Sequence, residues 1–146
     1  MKIFSPVFTE NGTVPVKYTC DGENINPPLM IEGVPDHSKS LVLIMDDPDA
    51  PAGLWTHWIL YNLPVDTQRI EENSAPGNQG INSANEKFYQ GPCPPGRVSH
   101  RYHFHLYALD SRLEVPDGIT RKQIDTLIQR HTLDLAEIIA YYPKIG

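Results

Sequence analysis

Fourteen of the 146 residues are proline, about twice the average usage, and this constrains the fold more than any other feature. Each proline removes a backbone donor and is excluded from helix interiors and central strand positions. The chain is therefore expected to build short elements joined by shaped loops. One helix is legible: Thr120 followed by Gln123 has capping-box spacing, after which Ile124, Leu127, Ile128 and His131 fall on one face.

The remaining pattern is that of strands. The run Leu41 to Met45 is apolar and branched and is closed by "DDPDAP", which reads as a strand buried on both faces. Trp55 to Leu63 is aromatic and branched, and Arg101 to Leu109 alternates, so both read as strands. Val16 to Thr19 and Leu29 to Glu32 are weaker strand candidates. The tail "AEIIAYYP" is open between a helical turn and a final strand, with strand bias over Ile138 to Tyr142. The segment "EENSAPGNQGINSANEKFYQGPCPPG" is a long irregular connection, and connections of that length are usually functional. These signals predict a mainly β fold of two packed antiparallel sheets with peripheral helical cover. The length suits a single domain over residues 1–146.

A net charge of -6 and a pI near 5.4 argue against nucleic acid or an anionic membrane surface as partner. Any anion must be held locally. "MKIFSPVF" lacks the apolar core of a secretory signal, and no run approaches the roughly 18 apolar residues of a membrane helix. A cytoplasmic protein is expected, with Cys20 and Cys93 kept reduced and their distance left open.

Three histidines fall within "HRYHFH", residues 100–105. On a strand, side chains alternate, so His100, Tyr102, Phe104 and Leu106 share one face while Arg101, His103, His105 and Tyr107 share the other. That alternation excludes a three-histidine metal site on this strand. His103 and His105 could chelate zinc only with a third ligand from elsewhere, and a polar, partly solvated sheet face is the favoured reading.

Asp46, Asp47 and Asp49 emerge where the buried strand ends, held between Pro48 and Pro51. Asp46 is read as a turn residue bonding backbone amides. Asp47 and Asp49 would contribute to a site only with convergent partners. His57, between Trp55 and Trp58, is one such partner: a neighbouring carboxylate would orient its imidazole and favour the protonated form, which suits an anion. In "GPCPPGRVSHRY", Gly91 and Gly96 permit close backbone approach to a ligand, and Pro92, Pro94 and Pro95 stiffen the approach to His100 and Tyr102. Ser99 and His100 point to opposite faces, so no activated nucleophile is legible, and Cys93 reads as an ordinary loop cysteine.

Together "DDPDAP", "WTHW" and "GPCPPGRVSHRY", in that order, resemble the phosphatidylethanolamine-binding protein family, also called Raf-kinase-inhibitor-like proteins. "YTCDGENINPPL" and "LDSRLEVPDGITRKQI" look like its bacterial and archaeal branch, so the resemblance covers essentially the whole chain. It implies a Greek-key β-sandwich with one or two peripheral helices and a small pocket for phosphate-type anions or phosphoethanolamine head groups. By position the implied ligand-binding residues are Asp47, Asp49, His57, Gly91, Pro94, His100 and Tyr102.

His57, His100 and Tyr102 would donate to the anion, while the aspartates would orient the histidines or accept an ammonium group. The resemblance further implies a non-enzymatic protein without a cofactor, regulation of a kinase or protease partner, a homodimer, and a cis Ala50–Pro51 bond. Two departures stand out. "GRVS" lacks the second glycine common in this loop and places Arg97 there, and only Pro143 to Gly146 come after Tyr142, which implies no C-terminal helix. The rival reading is a phosphate-ester hydrolase with a metal held by Asp47, Asp49, His57 and His100.

Overall fold

The computed structural model describes residues 1–143. Residues 144–146, and with them the expectation of no C-terminal helix, lie outside the described residues. The strands are β1 (Lys2–Phe4), β2 (Leu29–Glu32), β3 (Ser40–Asp47), β4 (Trp55–Leu63), β5 (Arg69–Ile70), β6 (Asn78–Gln79), β7 (His100–Leu109) and β8 (Thr132–Tyr142). One α-helix, α1 (Arg121–His131), precedes β8. Two antiparallel sheets result, ordered β1-β2-β5 and β6-β4-β3-β7-β8.

Alternation divides the large sheet between two hydrophobic layers. Leu41, Leu43 and Met45 of β3 join Trp58, Leu60, Phe104, Leu106 and the small sheet's Ile3, Leu29 and Ile31 in the layer between the sheets. Val42, Ile44, Ile59 and Tyr61 face the other way and pack under Ile124 and Ile128 of α1. This explains why all of β3 is buried, as its unbroken apolar run predicts. Ile44, Leu60 and Phe104 are each 0% exposed, and removing such side chains from water is worth about 1.5–3 kcal/mol apiece. The helix begins at the expected capping box: Thr120 Oγ1 accepts from the Gln123 amide at 3.2 Å and Gln123 Oε1 from the Thr120 amide at 3.0 Å.

Several expectations are corrected. Val16–Tyr18 is a 3₁₀ turn, not a strand. Pro15 (φ -60) starts it, and Thr19 Oγ1 closes it on the Val16 carbonyl at 2.9 Å. Ala50–Pro51 is trans, the cis bond among the described residues being Tyr142–Pro143. Pro51 sits second in a turn closed by Gly53 N on Ala50 O at 3.0 Å, a place a trans proline suits. Cys20 and Cys93 are joined in a disulfide, with Cα atoms 5.4 Å apart, so Cys93 is no free thiol. The expected compartment bears on redox poise and carries no information about proximity. Here Cys20 N donates to Pro92 O at 3.1 Å, laying the two segments side by side. The tail resolves as strand through Tyr142, with β8 pairing β7 from Leu109↔Thr132 to His100↔Tyr142.

No helix among the described residues is long and apolar enough to cross a membrane.

Candidate functional site

Where β3, β4 and β7 end beside the proline-rich loop, they enclose a cavity of about 230 Å³ lined by Asp47, His57, Gly91, Pro94, His100 and Tyr102, among others. Alternation brings most of these together: Asp47 follows Met45 on the inner face of β3, and His100 and Tyr102 precede Phe104 on the inner face of β7. His57 arrives by a different route. Between Met45↔Trp58 and Asp46↔Thr56 the register slips, leaving His57 as the extra residue of a β-bulge. Such bulges re-aim side chains next to sites. In consequence His57 faces Tyr102, ring centroids 5.3 Å apart and edge-on, while Tyr102 stacks against His100 at 6.5 Å.

Both cavity histidines are tied through Nδ1. His57 Nδ1 lies 2.6 Å from the Gln90 carbonyl, which only accepts, so this nitrogen carries the hydrogen. His100 Nδ1 lies 2.7 Å from Asp47 Oδ2, both residues being buried, and the carboxylate likewise requires a donor. Among the described residues neither Nε2 has a hydrogen-bond partner, and each remains free to meet a ligand. Burial pushes the His57 imidazole below its ordinary range, outweighing the opposing pull of the Gln90 carbonyl and Asp47. The expectation that a nearby carboxylate favours its protonated form is therefore reversed, because burial dominates. Burial, reinforced by the Asp47 and Asp49 charges, raises the Tyr102 phenol, so its hydroxyl stays a donor.

The three aspartates have separate roles. Asp47 accepts from His100 through Oδ2 and from the Asp49 amide through Oδ1 at 2.8 Å. Asp49 does not line the cavity; Arg101 holds it through Nε at 2.9 Å, NH2 at 2.8 Å and the backbone amide at 2.9 Å. The hydrogen bond from the Arg101 side chain is the main reason its carboxyl is held at about 2. Asp46, expected to bond turn amides, instead points to the outer face, where Oδ1 meets His105 Nε2 at 3.0 Å and Oδ2 accepts from Arg121 at 2.9 Å. It belongs to β3 and not to the turn, so strand alternation sets its direction.

Gly91 and Gly96 also differ from expectation. A Cβ on Gly91 would stand 2.4 Å from the Tyr18 carbonyl oxygen and 2.3 Å from Asn24 Oδ1. The close approach it permits is to another loop of the protein. Gly96 takes φ +66 in open space. Arg97 pairs with Asp21 at 3.5 Å and is absent from the cavity wall. Sequence reasoning missed Gln90, which positions His57 through its carbonyl and Trp55 through its side chain at 2.8 Å. Lying in an irregular connection, it carried no periodic signal.

The family model described as phosphatidylethanolamine-binding protein matches residues 4–143. This chain belongs to that family. Among its curated relatives, a UPF0098 protein of Methanothermobacter thermautotrophicus is 44% identical, with 99% of each chain covered. Another, from Pyrococcus horikoshii, is 44% identical over 96% of this chain and 75% of its own length. Two crystal structures of the phosphatidylethanolamine-binding family share the fold. The Chlamydia trachomatis homologue superposes with a TM-score of 0.94 at 40% identity, covering 99% of this chain and 97% of that one. E. coli YbcL gives 0.89 at 25% identity over 99% and 98%. Both sheets and the cavity end of the sandwich thus lie within the span this chain shares with its relatives.

Proposed function

We propose that the cavity binds a small phosphate-type anion, free or as a phosphoethanolamine group, and takes up a proton as it does so. The observation that carries this reading is the pair of imidazoles whose Nδ1 atoms are tied to acceptors, Gln90 O and Asp47 Oδ2. With Nδ1 engaged, Nε2 donates to an anion only when the ring is protonated. An arriving anion stabilises that charged form and the ring draws a proton from solvent. Tyr102 supplies a further hydroxyl donor, Gly91 and Pro94 shape the rim, and Asp47 and Asp49 act as positioning residues. Binding without catalysis is the corresponding activity.

Because the bound state holds more protons, affinity falls as pH rises from about 6 to 8. Calorimetry with phosphate and with phosphoethanolamine, repeated in buffers of different ionisation enthalpy, measures the proton directly. No His57, His100 or Tyr102 NMR shift at millimolar ligand would overturn binding; binding with no buffer dependence would overturn the proton uptake. Regulation of a kinase or protease partner, a cytoplasmic site of action and a homodimer form the finer part of the proposal, tested by sedimentation and by competition of phosphate with a phosphorylated partner segment.

Metal-dependent ester hydrolysis draws less support. Asp49 is committed to Arg101, and both oxygens of Asp47 are occupied. Chelator-sensitive phosphatase turnover is the result that would favour it.

A further inference from the structure

The outer face of the large sheet carries a second histidine cluster that the cavity does not use. His103 and His105 succeed one another on that face of β7, rings stacked with centroids 5.5 Å apart. Register sets a carboxylate on each side of them: Asp46 of β3 is paired with His103 and Glu137 of β8 with His105. Glu137 Oε1 lies 2.6 Å from His103 Nδ1 and Oε2 lies 3.5 Å from His105 Nδ1. Glu137 thus receives the His103 Nδ1 hydrogen and lies close to His105 Nδ1. His105 Nε2 sits 3.0 Å from Asp46 Oδ1. His103 Nε2 is buried and has no partner among the described residues.

We propose that Asp46, His103 and His105 bind one divalent transition-metal ion of the zinc class, with Glu137 orienting both imidazoles. Each of the three offers a ligand atom within 4.8 Å of the others. Ligand atoms around tetrahedral zinc stand about 3.3 Å apart at bond lengths of about 2.0–2.1 Å, a closure that small side-chain rotations supply. The donor set suits such an ion: imidazole nitrogens and one carboxylate favour zinc, nickel or copper over calcium or magnesium. A carboxylate accepting the second ring hydrogen of a ligating histidine fixes tautomer and orientation in metal sites generally.

A cation also resolves the local arrangement of charges. His105 Nε2 directs its hydrogen at Asp46 Oδ1, which only accepts; a bound ion takes the place of that hydrogen, and the unpartnered His103 Nε2 supplies the third ligand atom. Arg121 offsets part of the Asp46 charge from the other side, through Oδ2 and Thr56 Oγ1 at 3.1 Å, and Asp125 binds Arg121 in turn at 2.8 Å. Asp46 Oδ1, which Arg121 does not engage, is the oxygen offered to the ion. The histidine side chains are 15% and 18% exposed, so the ion reaches them from solvent and water completes its coordination.

The decisive test uses the native protein, tag-free and stripped of metal. Long-range ¹H–¹⁵N spectra recorded during zinc addition should show Nε2 of His103 and His105 shifting together and saturating at one equivalent, with a dissociation constant below about 10 µM. His103→Asn and Asp46→Asn should each weaken zinc at least about tenfold, and Glu137→Gln by about 10–100-fold. His131→Ala, on a histidine remote from the cluster, should leave it unchanged. Absence of saturable binding, a shift confined to Nδ1, or affinity retained in His103→Asn would overturn the assignment.

Discussion

On the cavity side of β7, His100 and the bulged His57 are nearly enclosed, 6% and 5% exposed, and each spends its Nδ1 on a separate acceptor. On the opposite side His103 and His105 are more open, His103 bonded to Glu137 and His105 to Asp46 with Glu137 close by. The same residue types on the same strands thus make two environments. In the cavity, burial disfavours the charged form of the His57 ring. Outside, Asp46 and Glu137 surround the rings with negative charge. Burial raises the Asp46 carboxyl, but the His105 hydrogen bond and charge and the nearby Arg121 charge outweigh it and hold it below the usual range. In the proposed readings one side receives an anion and the other a cation, and the direction of each is set by where the carboxylates stand relative to the rings.

The sharpest way to separate the two is the disulfide, whose Cys93 lines the cavity. Its partners are 73 residues apart, and loop closure of that order is worth about 4 kcal/mol. Cys20→Ser with Cys93→Ser is expected to lower unfolding free energy by about that much in chemical denaturation, and to weaken phosphate while sparing zinc. Equal losses of both ligands would erase the distinction.

Next in size, Glu137→Gln is expected to weaken zinc by about 10–100-fold with phosphate affinity unchanged, read by calorimetry on one sample. Conversely, Tyr102→Phe should cost phosphate about fivefold, the worth of one hydrogen bond of about 1 kcal/mol, with zinc unaffected.

The cavity has its own pH signature. A histidine whose folded pKa is depressed leaves the unfolded chain holding more protons below about pH 6.5, so stability rises with pH through that window and is lost on acidification. His57→Asn should flatten this part of the profile; an unchanged profile would place the burial effect elsewhere. Smallest of all, Arg101→Gln should move the Asp49 midpoint from about 2 toward the ordinary value of about 3.9, seen in carboxyl NMR titration.

Much of this contrast was legible in the sequence. The alternation along "HRYHFH" separates His100 and Tyr102 from His103 and His105 with no knowledge of neighbours, and the strands Leu29–Glu32 and Trp55–Leu63 stand where their pattern puts them. What it withheld was register. That Asp46 lies beside His103 and Glu137 beside His105 depends on how three strands slide against each other, which no single strand encodes. The bulge at His57 is likewise a property of a pair. β1, β5 and β6 are two or three residues long, too short to show a period. Cys20 and Cys93 meet where two loops distant in sequence touch, with Gly91 packed against Tyr18 and Asn24 beside them.

Asp46 and Asp47 are consecutive, yet each serves a different face. A slip of β7 by one residue against β3 would carry Arg101 and His103 toward the cavity and turn His100 and Tyr102 outward. Both constellations would vanish together, while much of the backbone hydrogen bonding could re-form. Phosphate and zinc titrations run in parallel would then double as a proofreading assay: a refolded preparation that binds neither ligand, but keeps its sheet content, has paired its strands out of step.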